Sequence, residues 1–185
     1  MRSRERSDMI TWLLIILLII LAFLFSIIFP FPLFGAPFDF SRDEAIRNIV
    51  KLTAPKNGDK IAELGSGDGR VCIALARKNP KTKIYGFEIN PILVVLSKIN
   101  VNKAGFEKQI KIKWKNFWFA DFGKFNKIVM FQFDNVMSRI EKKFDKELKK
   151  DSLIISHHWK LPHWKIVRSL GKEHISYGKV HLYKR

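Results

Sequence analysis

One cysteine, Cys72, stands among 185 residues, so no intrachain disulfide can form. Such a chain suits a reducing compartment. Cys72 lies in the apolar run Val71-Cys72-Ile73-Ala74-Leu75 and reads as a small core residue. Acid is also scarce: 17 Asp and Glu face 34 Lys and Arg, a formal net charge of +17. The basic excess is spread along the chain and does not form a tail. A field of that sign favours anionic partners, whether a lipid surface, nucleic acid or an acidic protein. There are no internal repeats, and no low-complexity stretch apart from one apolar segment near the N-terminus.

That segment, residues 9–29, has no charged residue and is dominated by Leu, Ile and Phe. As a helix rising about 1.5 Å per residue it matches the thickness of a hydrocarbon core. Thr11, Trp12 and Ser26 lie near its ends, where polar groups cost least, and Pro30 and Pro32 stop it. It is too long for the apolar core of a signal peptide, and Gly35-Ala36-Pro37 is a poor cleavage site. The organisation expected is a basic tail (residues 1–8), a transmembrane helix (9–29) that partners membrane lipid, a Pro- and Phe-rich linker (30–40) and a single domain (41–185).

Within that domain, Ser41-Arg42-Asp43-Glu44 reads as a capping box opening a helix, with Ile46, Ile49, Val50 and Leu52 at helical spacing. Strands and helices then alternate. Strands are expected over 60–64, 83–88, 109–115, 127–133 and 153–156, and helices over 70–78, 91–103 and 136–149. Asn90 caps the second of these helices, with Pro91 at its first position. One helical turn near 164–170 and a strand within 174–183 complete the chain. Such alternation implies an α/β fold with a parallel sheet and helices on both faces.

The informative stretch is Ile61-Ala62-Glu63-Leu64-Gly65-Ser66-Gly67-Asp68-Gly69-Arg70. A strand carrying an acid ends in alternating glycines, and a helix follows. Glycines let the backbone turn tightly with no side chain between it and a ligand. A dinucleotide-binding loop has the spacing G-x-G-x-x-G and holds a pyrophosphate on the helix N-terminus. Here the spacing is G-x-G-x-G, and Glu63 would repel a pyrophosphate yet accept hydrogen bonds from an ammonium group. A second acid, Glu88, ends the next strand about twenty residues on, where a carboxylate can take two ribose hydroxyls.

Glu63-x-Gly65-x-Gly67-x-Gly69 with Glu88 resembles the class I S-adenosylmethionine-dependent methyltransferases. The likeness continues through Gly86-Phe87-Glu88-Ile89-Asn90-Pro91, Glu141-Lys142-Lys143 and Pro162-His163-Trp164. Those runs resemble the membrane-anchored protein-lysine methyltransferases of the ATP synthase c-subunit and the adenine nucleotide translocase, with their prokaryotic relatives. The resemblance covers roughly residues 36–185. It implies a Rossmann-like sheet, S-adenosyl-L-methionine as cofactor, and Glu63, Gly65, Ser66, Gly67, Gly69, Glu88, Ile89 and Asn116 as the cofactor-binding set.

The sequence also departs from that branch. Asn116-Phe117-Trp118 stands where the branch carries Asp-Leu-Trp, and Gln132-Phe133-Asp134-Asn135 replaces its Val-Pro turn. It is not the Asn/Asp-Pro-Pro-Tyr motif of amide and base methylases either. Asp134 and Gln132 are expected on the acceptor side as the catalytic pair, with Phe133 as a wall; the competing role for Asp134 is to cap a helix. No cysteine or nearby acid completes a ligand set with His157, His158 and His163, and no metal is expected. The leading expectation is a membrane-anchored methyltransferase acting on lysine of a protein. Alternatives are RNA, a small molecule or lipid as acceptor, or a module that binds cofactor without turnover. Arg2, Arg4 and Arg6 favour a cytoplasmic N-terminus, which puts a single-pass domain outside, away from its cofactor. The cofactor requirement weighs more, and the catalytic domain is expected on the cytoplasmic side.

Overall fold

The computed structural model describes residues 2–28, 41–172 and 178–185, with side chains from residue 8 to 22 in the first stretch. The chain divides into two units, Met1–Pro37 and Phe38–Arg185. The first contains helix α1 (Arg2–Ile28). Its large apolar side chains from Met9 to Leu21 are exposed. Among the described residues no helix is long and apolar enough to cross a membrane. The span expected over 9–29 runs past the described side chains, and the linker 30–40 lies outside the described residues.

The second unit is built on α2 (Asp43–Thr53), β1 (Lys60–Leu64), α3 (Arg70–Lys78), β2 (Lys83–Glu88), α4 (Pro91–Lys103), β3 (Ile110–Trp114), β4 (Lys127–Met130), α5 (Asp134–Glu147), β5 (Leu153–His157), β6 (Arg168–Leu170) and β7 (Val180–Lys184). The strand order is β3-β2-β1-β4-β5-β7-β6. The first five strands pair in parallel, as the alternation implied. β7 runs antiparallel to β5, and β6 antiparallel to β7. The last stretch therefore corrects two expectations. The turn of helix near 164–170 is absent, and residues 168–170 form an edge strand instead. The sheet is mixed because, among the described residues, no crossover helix connects β5 to β7, so β7 returns as a neighbouring antiparallel strand. Of the strand expected within 174–183, residues 174–177 lie outside the described residues.

Two layers of apolar side chains cover the sheet. One joins Ile49 and Leu52 of α2, Val71, Cys72 and Leu75 of α3, and Val94 and Val101 of α4 with Ile61, Ile84, Val129 and Ile155 of the strands. The other packs Met137, Ile140 and Phe144 of α5 on Ala62, Leu64, Ile128, Met130 and Ile154. Alternation along β1 sends Ile61 to the first layer and Ala62 and Leu64 to the second. Glu63 thus falls on the Ile61 side, toward α3.

The capping box is not made. Arg42 is the N-cap of α2 with no side-chain cap bond, and the Ser41 hydroxyl pairs instead with His157 Nδ1 at 3.0 Å, both residues buried. A buried imidazole nitrogen far along the chain takes the hydroxyl, because leaving either group unpaired there would cost more than leaving a helix amide to solvent. At the other end of α2, the buried Lys127 donates to the carbonyls of Thr53 and Ala54 and pairs with Asp59 at 2.6 Å. Burial alone would raise the Asp59 pKa. Hydrogen bonds from Lys127, the Lys56 amide and Asn126 outweigh it, so the net shift is downward.

Candidate active site

β1, β2, β4 and β5 run parallel, so their C-terminal ends share one edge of the sheet. The strand order reverses between β1 and β4, which is where open α/β sheets hold ligands. Every site residue expected from the sequence lies at the C-terminal end of one of these strands or of β3, or shortly after it.

The glycine loop turns as its composition requires. Gly65, Gly67 and Gly69 have φ of 78°, 54° and 83°, a left-handed region costly to residues with a Cβ. The loop is stitched to β2, because the amides of Gly65 and Ser66 both donate to the Phe87 carbonyl, at 2.9 and 3.0 Å. Glu88 holds it from the other side. One carboxylate oxygen accepts from the Gly67 amide at 2.9 Å, and the other from the amides of Ile89 and Asn90 at 2.8 and 2.9 Å. Each carboxylate oxygen offers two lone-pair sites, so acceptor capacity is left for ribose hydroxyls. Asn90 caps α4 as expected, its side chain accepting from the Ile92 amide at 2.9 Å.

Glu63 is buried at 6% exposure. Desolvation pushes its pKa up to about 8, and the carboxylates of Asp68 and Glu88 add to the rise against hydrogen bonds from Cys72. Among the described residues Glu63 has no ion pair; its side chain accepts from the Cys72 thiol at 2.8 Å. Cys72 is therefore more than a core filler, and burial with Glu63 beside it raises the thiol pKa. A carboxyl held neutral by burial, next to a glycine loop, suits a ligand that brings a positive charge. The ammonium group of S-adenosyl-L-methionine supplies one, and its ribose suits Glu88. The donor set fits that cofactor and argues against a pyrophosphate.

Ser66 faces inward. Its buried hydroxyl has no hydrogen-bond partner among the described residues. It packs so closely on Gly86 of β2 that a Cβ added there would lie 2.7 Å from it. Gly86 thus supports the site, a role that sequence reasoning missed; a glycine inside a strand is the signal for such a close approach. Ile89 is half-buried, and its carbonyl accepts from Trp114 Nε1 at 3.0 Å. Asn116 follows β3, half-buried, and its side chain accepts from the Trp118 amide at 3.0 Å, opening a short 3-10 turn.

On the acceptor side β4 ends at Met130, earlier than expected, and α5 begins at Asp134. Gln132 is buried at 3% exposure. Its amide nitrogen donates to the Leu64 carbonyl at 2.8 Å, while its oxygen has no partner among the described residues. A Cβ on Gly65 would come within 3.0 Å of the same nitrogen, so Gln132 adjoins the start of the glycine loop. Phe133 is the N-cap of α5, with no side-chain cap bond, so Asp134 is not the cap. Asp134 is the exposed first residue of the helix, where the helix dipole favours an acid. Aromatic rings gather around these strand ends. Phe131 lies 4.2 Å from His157 and 6.3 Å from Phe133, and Phe133 lies 6.2 Å from Trp159. The Trp159 indole nitrogen is buried without a partner among the described residues.

The three histidines part company. His157 joins Ser41, while His158, with φ of 67°, sits edge-on to Trp159 at 4.8 Å. His163 pairs through Nδ1 with the buried Glu141 at 2.7 Å, and its amide donates to the other Glu141 oxygen at 2.9 Å. Glu141 and His163, far apart in sequence, thereby clamp α5 to the loop after β5.

Residues 63–168 match the ANTKMT methyltransferase domain. The human lysine N-methyltransferase of the ATP synthase c-subunit is 32% identical over 128 residues, 69% of this chain and 54% of that protein. A protein-lysine N-methyltransferase of Saccharolobus islandicus is 28% identical over 122 residues, 66% of this chain and 76% of that protein. The chain spans about half the length of the first vertebrate relatives. Among solved structures, an RNA methyltransferase from Salinibacter ruber in complex with S-adenosyl-L-homocysteine superposes with a TM-score of 0.73 at 21% identity. It covers 79% of this chain and 93% of its own, a likeness of fold. The chain belongs to the ANTKMT methyltransferase domain family, within the class I S-adenosylmethionine-dependent methyltransferases.

Proposed function

We propose that the protein transfers the methyl group of S-adenosyl-L-methionine to lysine of a protein at a membrane. The observation that carries the cofactor half is Glu63, buried and without an ion pair among the described residues, beside a glycine loop tied to Glu88. The cofactor brings an electrophilic methyl group on a sulfonium. Glu63 gives up its proton and accepts hydrogen bonds from the cofactor's ammonium. Gly65, Gly67 and Gly69 with the Ser66 backbone let the chain approach it, Glu88 takes the ribose hydroxyls, and Ile89 and Asn116 flank the adenine.

Methyl transfer is an in-line displacement, so the protein's work is alignment and exclusion of water. A lysine acceptor must be neutral to attack, and an apolar surround favours loss of its proton. Phe131, Phe133 and Trp159 supply that surround. Gln132, with a buried oxygen to spare, orients the amine, and the Asp134 carboxylate at the rim receives its proton. The relatives named for lysine methylation support lysine as the acceptor. The uncharged, apolar run of residues 9–29 in the sequence supports a membrane anchor, with the domain on the cytoplasmic side, where the cofactor is.

The test incubates the full chain and its native membranes with methyl-labelled S-adenosyl-L-methionine. Label recovered as methyl-lysine in a membrane protein supports the proposal. Label only in RNA or lipid, which the net charge of +17 would also attract, overturns it.

A further inference from the structure

Helix α4 is apolar on two sides. Val94, Ser97 and Val101 are buried against the sheet. Successive helical residues turn by about 100°, which puts Ile92, Val95, Leu96 and Ile99 together on another side. There they are 47%, 58%, 40% and 46% exposed. Lys103 ends the same stripe. Beside its beginning stands Trp114, the last residue of the edge strand β3, 69% exposed. The bond from Trp114 Nε1 to the Ile89 carbonyl holds the indole close to the start of α4 and leaves its ring bare. Lys98 and Lys103 lie on α4 and Lys108 follows it, all three exposed, whereas Lys111, Lys113 and Lys115 alternate with Ile110, Ile112 and Trp114 and so belong to the other face of the sheet; the one acid between residues 89 and 119 is Glu107.

We propose that this face of the catalytic domain docks on an anionic lipid surface. The α4 ridge and Trp114 enter the headgroup layer, and Lys98, Lys103 and Lys108 meet lipid phosphates. An aliphatic helix face flanked by an exposed Trp and Lys is the pattern of interfacial binding, and lysine stems reach past such a face to place their charge at the phosphates. A second copy is a poor occupant, because a two-fold contact sets lysines against lysines. The bare apolar area, on the order of 500 Å², also falls short of the roughly 800 Å² per partner of a stable protein interface. Single-stranded nucleic acid is a poor occupant too, since it needs stacking rings more than aliphatic side chains. Glu88 and Asn90 immediately precede α4, so docking brings the ribose side of the cofactor site to the lipid. The inference goes beyond the anchor reading, because it gives the catalytic domain a lipid contact of its own.

The test uses the full chain with Val95→Cys carrying an environment-sensitive fluorophore. The native Cys72 is fully buried, so the label goes to one place. A second protein carries the label at Lys150→Cys, an exposed position beyond α5. Each is mixed with phosphatidylcholine vesicles with and without phosphatidylglycerol. The expected result at residue 95 is a blue shift and quenching by doxyl-lipid, dependent on phosphatidylglycerol and weakened by salt, with no change at residue 150. Ile92→Glu with Ile99→Glu abolishes the shift and leaves cofactor affinity unchanged. A chain that floats with the vesicles while the label at 95 stays aqueous overturns this proposal and spares the anchor. Failure to float with anionic vesicles overturns both. A shift that follows protein concentration without lipid assigns the face to a second copy and overturns the proposal.

Discussion

Replacing Glu63 by Gln removes a carboxyl whose pKa burial raises from 4.5 to about 8 on folding. Between those values the folded state holds a proton that the unfolded state has released, so stability declines as pH rises. The full loss, relative to acid, is about 5 kcal/mol. It is absent below the unfolded pKa and complete above the folded one. The Gln variant keeps an amide in the same space without that titration. Urea unfolding of both proteins, followed by tryptophan fluorescence from pH 5 to 8.5 without cofactor, measures the difference. The variant's stability should change little through residue 63, and its advantage over the native protein should grow with pH. Calorimetry supplies a second reading. Below pH 8 the native protein must release about one proton as it binds S-adenosyl-L-methionine, visible as a dependence of binding heat on the buffer's ionisation heat; the variant binds weakly and releases none. Parallel stability curves would refute the reasoning, because Glu63 would then be ionised and compensated before any cofactor arrives.

Gly86→Ala places a methyl group 2.7 Å from Ser66 and 2.8 Å from Ile112. Overpacking of this kind costs about 1–3 kcal/mol, and the displaced Ser66 should carry the glycine loop with it, so thermal denaturation and cofactor titration both register the change. Lys127→Met leaves Asp59 buried without its cation, a loss of about 3–5 kcal/mol in denaturant unfolding at neutral pH. Because the Asp59 pKa is lowered in the fold, that difference should shrink as pH falls below 3.8. Asp134→Asn should lower turnover about 10²-fold if the carboxylate receives the lysine proton, with cofactor affinity unchanged in the same preparation; unchanged turnover assigns Asp134 to the helix terminus alone.

Local chemistry made much of the fold readable before any coordinates. Asn90-Pro91 has one good use, opening a helix, and α4 opens there. β1, α3 and β2 keep the bounds that their periodicity set, since a short apolar strand, a glycine turn and an amphipathic helix are each specified by neighbours in the chain. Glu63, the glycines and Glu88 come together for the same reason, since they lie on one strand-loop-helix-strand unit.

What the sequence could not disclose are contacts between residues far apart in the chain. Ser41 is a reasonable helix cap until folding brings His157 to it, and a buried imidazole is the stronger claim on its hydroxyl. Glu141 meets His163 only because α5 and the loop after β5 pack side by side. Cys72 looks like filler until β1 turns Glu63 toward α3, and the sign of the Glu63 shift depends wholly on burial, which no residue specifies alone. The antiparallel return of β7 beside β5 likewise depends on the open sheet edge that it meets. The sequence by itself determined which ligand this protein is built to hold; the tertiary structure decided what charge Glu63 carries while it waits, because desolvation and pairing arise only when distant segments pack together.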